Sequence, residues 1–209
     1  MVEPTEPDLF ERVEPGARKA HKRLILNVAL RCFNEAGIAA TTIDTIRERA
    51  NSSIGSIYHH FGNKDGLVAA LFFAALDDQM AQAQPRIEGA GSAQEAVHAL
   101  VHTFMAWMTE QPELARFMVQ ARASVADGPY KDALAQRNKQ RYGSLLQWLE
   151  TGVRQGSIRA LPREAYASLL IGAAENYGRA WLSGRVQTPP KDMATVFADA
   201  AWRAVGLES

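Results

Sequence analysis

Apolar side chains recur at spacings of three and four residues along most of the chain, and no stretch alternates apolar with polar residues as a half-buried strand does. Glycine, proline and capping residues divide this pattern into about nine segments. The pattern therefore predicts an all-α protein of about nine helices, the longest of which are expected over residues 17–36, 64–84, 130–153, 163–183 and 191–205.

Two short helices joined by a tight turn are predicted between residues 41 and 61. Thr41 or Thr42 is placed to cap the first helix, and Asn51 stands where the turn needs a residue that tolerates a positive φ angle. In the second helix Ile57 and Phe61 are four residues apart, so they share an inward face. Two such helices form a helix-turn-helix, whose second helix fits the major groove of DNA.

The same segment resembles the TetR family of bacterial transcriptional repressors, through a motif that runs Ser53-x-Gly55-x-x-Tyr58-x-x-Phe61 and continues as Lys64-x-x-Leu67. The resemblance implies a homodimer with a three-helix DNA-binding head and a helical body. It also implies that the dimer blocks transcription at a near-palindromic operator until a small, largely apolar or aromatic effector releases it. The alternative is a three-helix subdomain that touches no nucleic acid, which leaves its exposed tyrosine, histidines and lysine hard to explain.

The resemblance also implies roles for individual residues of the head. Tyr58, His59 and Lys64 match positions that hold DNA phosphates, and Gly55 matches a position that stays small so that the helix can approach the duplex closely. His60 either holds a phosphate too or faces the first helix. The residues predicted to contact DNA are Thr41, Thr42, Ser53, Ile54, Gly55, Ser56, Tyr58, His59, His60 and Lys64.

Side-chain chemistry and two departures from the family pattern refine this interface. Ser53 and Ser56 can meet base edges or phosphates, whereas Ile54 can offer only apolar contact, for example to a thymine methyl group. Asn51 replaces the usual turn glycine, which asparagine tolerates because it adopts positive φ readily. Ser52 replaces the usual apolar turn residue, and this change is expected to remove a contact with the core.

The net charge of the chain is zero, but the charges are unevenly distributed. Residues 1–14 carry five acidic residues against one arginine, residues 15–66 carry eight basic against four acidic residues, and residues 67–209 carry fourteen of each sign. The basic excess thus lies on the segment assigned to DNA, as phosphate neutralisation requires.

Residues 1–15 hold three prolines and no helical periodicity, which predicts a mobile acidic tail. It either solubilises the protein, which is favoured, or lies against the basic face and competes with DNA.

Aromatic and methionine side chains are frequent in the body. They form either a filled core or, as the resemblance implies, a ligand cavity between the middle helices. Glu175 is a polar residue within an apolar run, and it either pairs with Arg179 one turn later or contacts the ligand. The predicted ligand-binding residues are Phe104, Met105, Met108, Phe117, Met118, Tyr142, Trp148, Glu175 and Asn176.

The first of the last two predicted helices, over residues 163–183, carries small residues at Gly172, Ala173, Ala174 and Gly178, which allow another helix to come close. In the family these two helices pair with their copies as a four-helix dimer interface; packing within one subunit is the alternative. The predicted dimerisation residues are Leu169, Leu170, Ala173, Tyr177, Phe197, Ala201 and Trp202.

The chain offers little for other functional classes. No phosphate loop, nucleophile motif, cofactor signature or metal framework is found, and His98 and His102, four residues apart, fit a surface stripe better than a metal site. Neither a signal peptide nor a membrane span is expected, and Cys32, the single cysteine, fits a core position and the cytoplasm. An enzyme or a scaffold would leave residues 41–67 unexplained.

The predicted organisation is therefore a tail over residues 1–15, a helix-turn-helix domain over 16–66 and a ligand-binding and dimerisation domain over 67–209. The predicted function is ligand-responsive regulation of transcription, with double-stranded DNA, a small effector and a second copy of the chain as partners and no membrane involved.

Overall fold

The computed structural model describes residues 9–207, without the side chains of residues 140–142 and 144. The described residues form ten α-helices, which are α1 (Leu9–Val13), α2 (Ala20–Ala36), α3 (Ile43–Arg49), α4 (Ile54–Phe61), α5 (Lys64–Glu88), α6 (Ala93–Glu110), α7 (Pro112–Asp127), α8 (Lys131–Arg154), α9 (Arg163–Leu182) and α10 (Ala194–Val205). Short 3₁₀ turns precede α2 and α10. The only pairing of strand type in this part of the chain is one isolated bridge between Ile158 and Gly206. The prediction of an all-α fold is confirmed.

The chain divides by packing into two compact units. Of the described residues, the first unit contains 9–78 together with 116–134, and the second contains 79–115 and 135–207. The predicted boundary at residue 66 separates DNA binding from ligand binding and dimerisation, which are functions and not packing units. It stays a prediction.

The core of the first unit is built around α2, whose inward face buries Ile25, Ala29 and Phe33. α3 and α4 each add a short apolar face to this core, through Ile46 and through Ile57 with Phe61. Helices of seven and eight residues are too short to be stable alone in water, so the burial of these apolar faces is what holds them in place.

Local signals set the ends of the two short helices. The Thr42 hydroxyl accepts a hydrogen bond from the backbone N–H of Thr45 at the start of α3. Asn51 has φ 46°, the left-handed conformation that the turn requires, as predicted. α4 ends at Gly62, also in the left-handed region with φ 74°, whose N–H donates to the carbonyl of Tyr58.

The prediction of a mobile tail up to residue 15 is wrong for residues 9–15, while residues 1–8 lie outside the described part of the chain. Leu9 and Phe10 belong to α1 and are each only 2% exposed. Arg12 pairs with the buried carboxylate of Asp78 through two hydrogen bonds of 2.8 and 3.1 Å. Two apolar side chains and one arginine anchor this segment, although it is too short to show helical periodicity.

The second unit packs α6, α9 and α10 around a shared apolar core that includes Val101, Met105, Leu170, Ala198 and Val205. α6 begins with a cap at Ser92, whose hydroxyl accepts a hydrogen bond of 3.1 Å from the backbone N–H of Glu95. At Gly178 an added Cβ atom would lie 2.4 Å from the side chain of Met108. This glycine thus serves close packing of α9 against α6 within one chain.

No helix within residues 9–207 is both long enough and apolar enough to cross a bilayer.

Candidate nucleic-acid interface

α4 has one face in the core and the opposite face in solvent. Ile57 and Phe61 are buried, whereas Ile54 is 47% exposed and Tyr58 is 49% exposed. Ile54 and Tyr58 lie one turn apart, so together they give the solvent side of α4 an apolar and aromatic surface that a partner can contact. The exposed side of α4 consists of Ser53, Ile54, Gly55, Tyr58, His59 and His60, with Ser56 half-buried beside them.

The start of α4 is fixed by its cap. The Ser53 hydroxyl accepts a hydrogen bond from the backbone N–H of Ser56 at 3.1 Å. Capping uses a lone pair of the Ser53 oxygen and leaves its proton able to donate to a further acceptor such as a phosphate. The Thr42 hydroxyl is exposed and occupies the same position at the start of α3. The helix-turn-helix therefore has two capped helix N-termini, those of α3 and α4, and the dipole of each helix favours an anion there.

The prediction that Thr41 contacts DNA is contradicted by its position. Thr41 is buried, and its hydroxyl donates internally to the carbonyls of Cys32 at 3.1 Å and Gly37 at 2.8 Å. It ties the end of α2 to the start of α3. Sequence alone left open whether Thr41 or Thr42 was the cap, and the structure assigns the cap to Thr42.

Lys64 stands at the start of α5, and its ammonium group donates to the carbonyl of Ala39 at 3.1 Å. The exposed Ala39 belongs to the segment between α2 and α3, so this bond holds Lys64 over that segment. The arginines of α3 are held by carboxylates instead, with Arg47 3.1 Å from Glu48 and Arg49 paired with Glu35. Lys64 is thus a cation of the helix-turn-helix that a phosphate can recruit without breaking an ion pair shown in this structure.

Three histidines form a cluster, which consists of His59 and His60 of α4 and His21 of α2, and the sequence pattern did not predict the place of His21 in it. The His21 ring nitrogen Nε2 lies 3.0 Å from the hydroxyl of Ser52. The His21 and His60 rings are 6.4 Å apart, and those of His59 and His60 are 5.2 Å apart. Ser52 was expected to remove a contact with the core, and it makes a polar contact with His21 instead. His60 faces His21 of α2 and is also exposed to solvent.

Burial lowers the pKa of His60 below its ordinary value of 6.5, and the neighbouring His59, His21 and Lys22 lower it further. Glu14 opposes this pKa shift weakly. His60 is accordingly neutral near neutral pH unless an anion approaches it.

The two segments that carry this architecture match known families. Residues 25–71 match the bacterial regulatory proteins of the tetR family, and residues 90–205 match the tetracyclin repressor-like C-terminal domain, which by itself spans more than half of the chain. This chain belongs to the TetR family. TetR-family proteins are transcription regulators and not enzymes, so the predicted family and the predicted absence of enzyme activity are confirmed.

Relatives of known sequence or structure agree with this assignment. The HTH-type transcriptional regulator BetI of Burkholderia ambifaria is 27% identical over 179 residues, which cover 85% of this chain and 88% of BetI. The HTH-type regulator YhgD of Bacillus subtilis is 24% identical over 175 residues, covering 84% of this chain and 90% of YhgD. A TetR family regulator from Marinobacter aquaeolei VT8 has the same fold, with a TM-score of 0.77 and 22% identity over 91% of this chain and 98% of its own.

The histidine cluster predicts that DNA binding by this TetR-family head strengthens as pH falls. A phosphate beside His60 favours the protonated ring, so the pKa of His60 is higher in the complex than in the free protein. Affinity then rises as pH falls through the pKa of the complex, and it levels off below the lower pKa of the free protein. We expect about 3- to 10-fold tighter binding at about pH 6 than at about pH 8.

Fluorescence anisotropy at constant ionic strength measures this pH dependence. His60→Gln should flatten it, while His98→Gln, which changes a histidine of the second unit, should leave it unchanged. A His60→Gln protein with the full pH dependence would assign the effect to His21 or His59 instead.

The predicted ligand-binding residues of this TetR-family chain are divided between its two units. Met105, Phe104 and Trp148 belong to one apolar cluster of the second unit, in which Met105 is fully buried and the other two are partly buried. Phe117 belongs to the core of the first unit, where its ring stacks on that of Phe33 with centroids 5.7 Å apart. Met118, next to Phe117 in the chain, lies in the first unit, and Met108 packs against α9 in the second.

The three polar candidates have different outcomes. Asn176 is exposed in the single chain, and its ligand-binding role stays a prediction. Glu175 is partly buried and lies 4.0 Å from Arg179, which is the ion pair that its spacing allowed. The Tyr142 side chain lies outside the described side chains.

The predicted dimerisation residues are also divided. Leu169 is 38% exposed and Ala173 is exposed, and both lie on the outer side of α9. Leu170 and Ala201 are already buried in the second unit of a single chain, so their assignment to the dimer interface is wrong. On α10 the most open large apolar side chain is Val196, at 57% exposed, and the predicted dimerisation residues do not include it.

The aromatic members of that set are partly buried and take part in contacts within the chain. The Tyr177 and Phe197 rings lie 5.1 Å apart, and the Tyr177 hydroxyl donates to the carbonyl of Thr188 at 3.0 Å. The Trp202 ring fills the space where Gly206 would carry a side chain. Their remaining exposed area is what they can offer to a second copy.

His98 and His102 stack with ring centroids 6.3 Å apart on α6. His98 Nε2 lies 3.3 Å from Asp199 Oδ1 of α10, although without hydrogen-bond geometry. Burial, followed by the charge of His98, lowers the pKa of His102. Over the described residues 9–207, no group of three or more histidine, cysteine or carboxylate side chains is arranged to hold a metal ion.

Proposed function

We propose that this TetR-family regulator is a repressor that binds a near-palindromic operator as a homodimer. The observation that carries the proposal is the exposed side of α4, where Ile54 and Tyr58 stand in solvent on a helix fixed by the buried Ile57 and Phe61. Such a helix can enter the major groove without rearrangement of its own core. One short helix offers too little contact for specificity, and dimeric readers place two of them about 34–36 Å apart.

The proposed dimer uses the outer faces of α9 and α10. Leu169, Gly172 and Ala173 give α9 an open strip of apolar and small side chains, and an added Cβ at Gly172 would meet nothing within 4 Å. On α10 the exposed Val196 is the apolar side chain that we propose joins this interface. A surface of this kind, repeated by a two-fold axis, is self-complementary.

The proposed effector is small and largely apolar or aromatic, and it binds in the second unit beside Phe104, Met105 and Trp148. These side chains offer aromatic and thioether surface, and the two aromatic rings are only partly buried. The effector releases DNA if it binds more tightly to a state in which the two heads no longer fit the groove. The cytoplasmic location of the protein also stays a prediction.

The test of this function is fluorescence anisotropy with duplex DNA from upstream of the gene, against a scrambled duplex, over about 50 to 300 mM salt. Tight binding to the upstream DNA alone supports the proposal and supplies the assay for an effector screen. Equal, weak binding to both duplexes would contradict an operator next to the gene, and selection from a random duplex library would then show whether the head reads any sequence.

Two substitutions separate the proposed roles within the interface. Lys64→Ala removes a phosphate contact, so it should weaken binding to every sequence alike and reduce the magnitude of the salt slope by about 1 per head. Ser56→Ala changes a side chain at the groove, so it should alter the preference between duplexes with little change in the salt slope. Both variants are compared by the same anisotropy titrations. Equal loss on all duplexes from both changes would contradict the division of roles.

A further inference from the structure

A carboxylate near the N-terminus is paired with two lysines of the first unit. The two oxygens of Glu14 take one lysine each, with Oε2 2.7 Å from Lys19 Nζ and Oε1 in contact with Lys22 Nζ. Burial by itself would raise the pKa of Glu14, but the hydrogen bonds from Lys19 and Lys22 outweigh it and hold the pKa below its ordinary value. Glu14 is therefore an ionised partner of both lysines in the free protein.

Glu14 is fixed in this position by its neighbours. The Arg23 guanidinium donates to the backbone carbonyls of Glu14 at 2.9 Å and Gly16 at 2.8 Å. Upstream, α1 is anchored by its buried apolar residues and by the pair between Arg12 and Asp78. The contact with the lysines is thus part of a folded segment and not a chance encounter of a loose acidic tail.

The paired lysines border the proposed DNA-binding surface. Lys22 follows His21, which contacts Ser52 of the turn, and Lys22 and Glu14 are both close enough to His60 of α4 to change its pKa. Lys19 is one turn before Lys22 along the same stretch of chain. Ammonium groups beside a recognition helix are suited to neutralise DNA phosphates.

We propose that Glu14 is a built-in competitor of DNA, which occupies Lys19 and Lys22 in the free protein and must be displaced before they contact phosphates. This inference rests on the proposed DNA-binding function. A carboxylate and a phosphate compete for the same ammonium protons, so every lysine–phosphate contact is weakened by the ion pair that it replaces. The N-terminal segment thereby lowers affinity for all sequences and makes binding depend more on base contacts.

The test compares two variants that remove one negative charge from the same segment. Glu14→Gln removes the partner of both lysines, and we expect about 3- to 30-fold tighter binding to the preferred and the scrambled duplex alike at low salt. Glu11→Gln is the matched control, because Glu11 is exposed and only approaches Arg23 at 3.6 Å. Its affinity should stay within about twofold of the original protein. The gain from Glu14→Gln should shrink as salt rises.

A cycle through the lysines shows whether the gain acts through this contact. In a Lys19→Gln/Lys22→Gln background, Glu14→Gln should give no further gain, since its partners are absent. Thermal unfolding shows whether Glu14→Gln loosens α1. The Lys19→Gln/Lys22→Gln protein is the reference for this comparison, because it lacks the same two ion pairs.

Three outcomes would overturn the proposal. They are unchanged or weaker DNA binding by Glu14→Gln, an equal gain from Glu11→Gln, and a gain that persists without the lysines. If the original protein binds no duplex under any condition while remaining folded, the proposed DNA-binding function itself has failed, and this result is distinct from all three.

Discussion

Replacing Tyr58 with alanine is expected to weaken operator binding by about 10- to 100-fold while the head stays folded. The Tyr58 ring is half exposed on the outer side of α4, so its removal leaves no cavity in the core. The resemblance to the family motif implies that its hydroxyl donates to a DNA phosphate, and a hydrogen bond to a charged acceptor is among the stronger ones. A two-fold dimer loses this contact in both heads.

Anisotropy titrations measure the loss, and circular dichroism at rising temperature checks the fold. Tyr58→Phe separates the hydroxyl from the ring and should account for most of the loss if the phosphate bond dominates. Val119→Ala is a suitable control, because Val119 is an equally exposed side chain on α7 of the same unit. Undiminished affinity of a folded Tyr58→Ala protein would contradict the assignment of the exposed side of α4 to DNA.

Replacing Ala173 with arginine is expected to convert the dimer into a monomer and to weaken operator binding by about 100-fold or more. Ala173 is exposed in the single chain, so an arginine there has room within the subunit. In a dimer that joins the outer faces of α9 and α10, the same arginine would lie buried against its copy without a partner charge. Such burial is strongly unfavourable.

Sedimentation or light scattering gives the mass, and DNA titrations give the consequence for binding. Val119→Arg places the same charge on another exposed apolar position and should change neither. A dimer that persists with Ala173→Arg would rule out the α9 face as the interface. A monomer that still binds the operator fully would show that one head is sufficient.

The helix-turn-helix could be predicted in detail because its signals are local. A turn residue and an apolar pair four residues apart act within one or two helical turns, and Asn51, Ile57 and Phe61 lie where the pattern placed them. The choice of inward and outward sides of α4 follows from helix geometry alone. The sequence pattern did not predict the contact between His21 and Ser52, because it joins residues 31 positions apart.

Burial within the body could not be decided in the same way. Leu169 and Leu170 are neighbours of identical chemistry, yet one is exposed and the other lies in the core. Hydrophobicity on nearly every side of α9 leaves the orientation of the helix open, and the packing partners α6 and α10 settle it. Thr41 and Thr42 differ for the same reason, since a buried pair of carbonyls is available only to Thr41.

By itself, the sequence of this protein determined the all-α class, the position of the helix-turn-helix and the family. These properties follow from periodicity and from short motifs in which each residue acts on its near neighbours. Tertiary structure alone decided that residues 9–15 fold onto the first unit, that Glu14 holds Lys19 and Lys22, and which small residues of α9 remain open. Each of these depends on groups from separate helices, and their meeting is set by the packing of the whole unit.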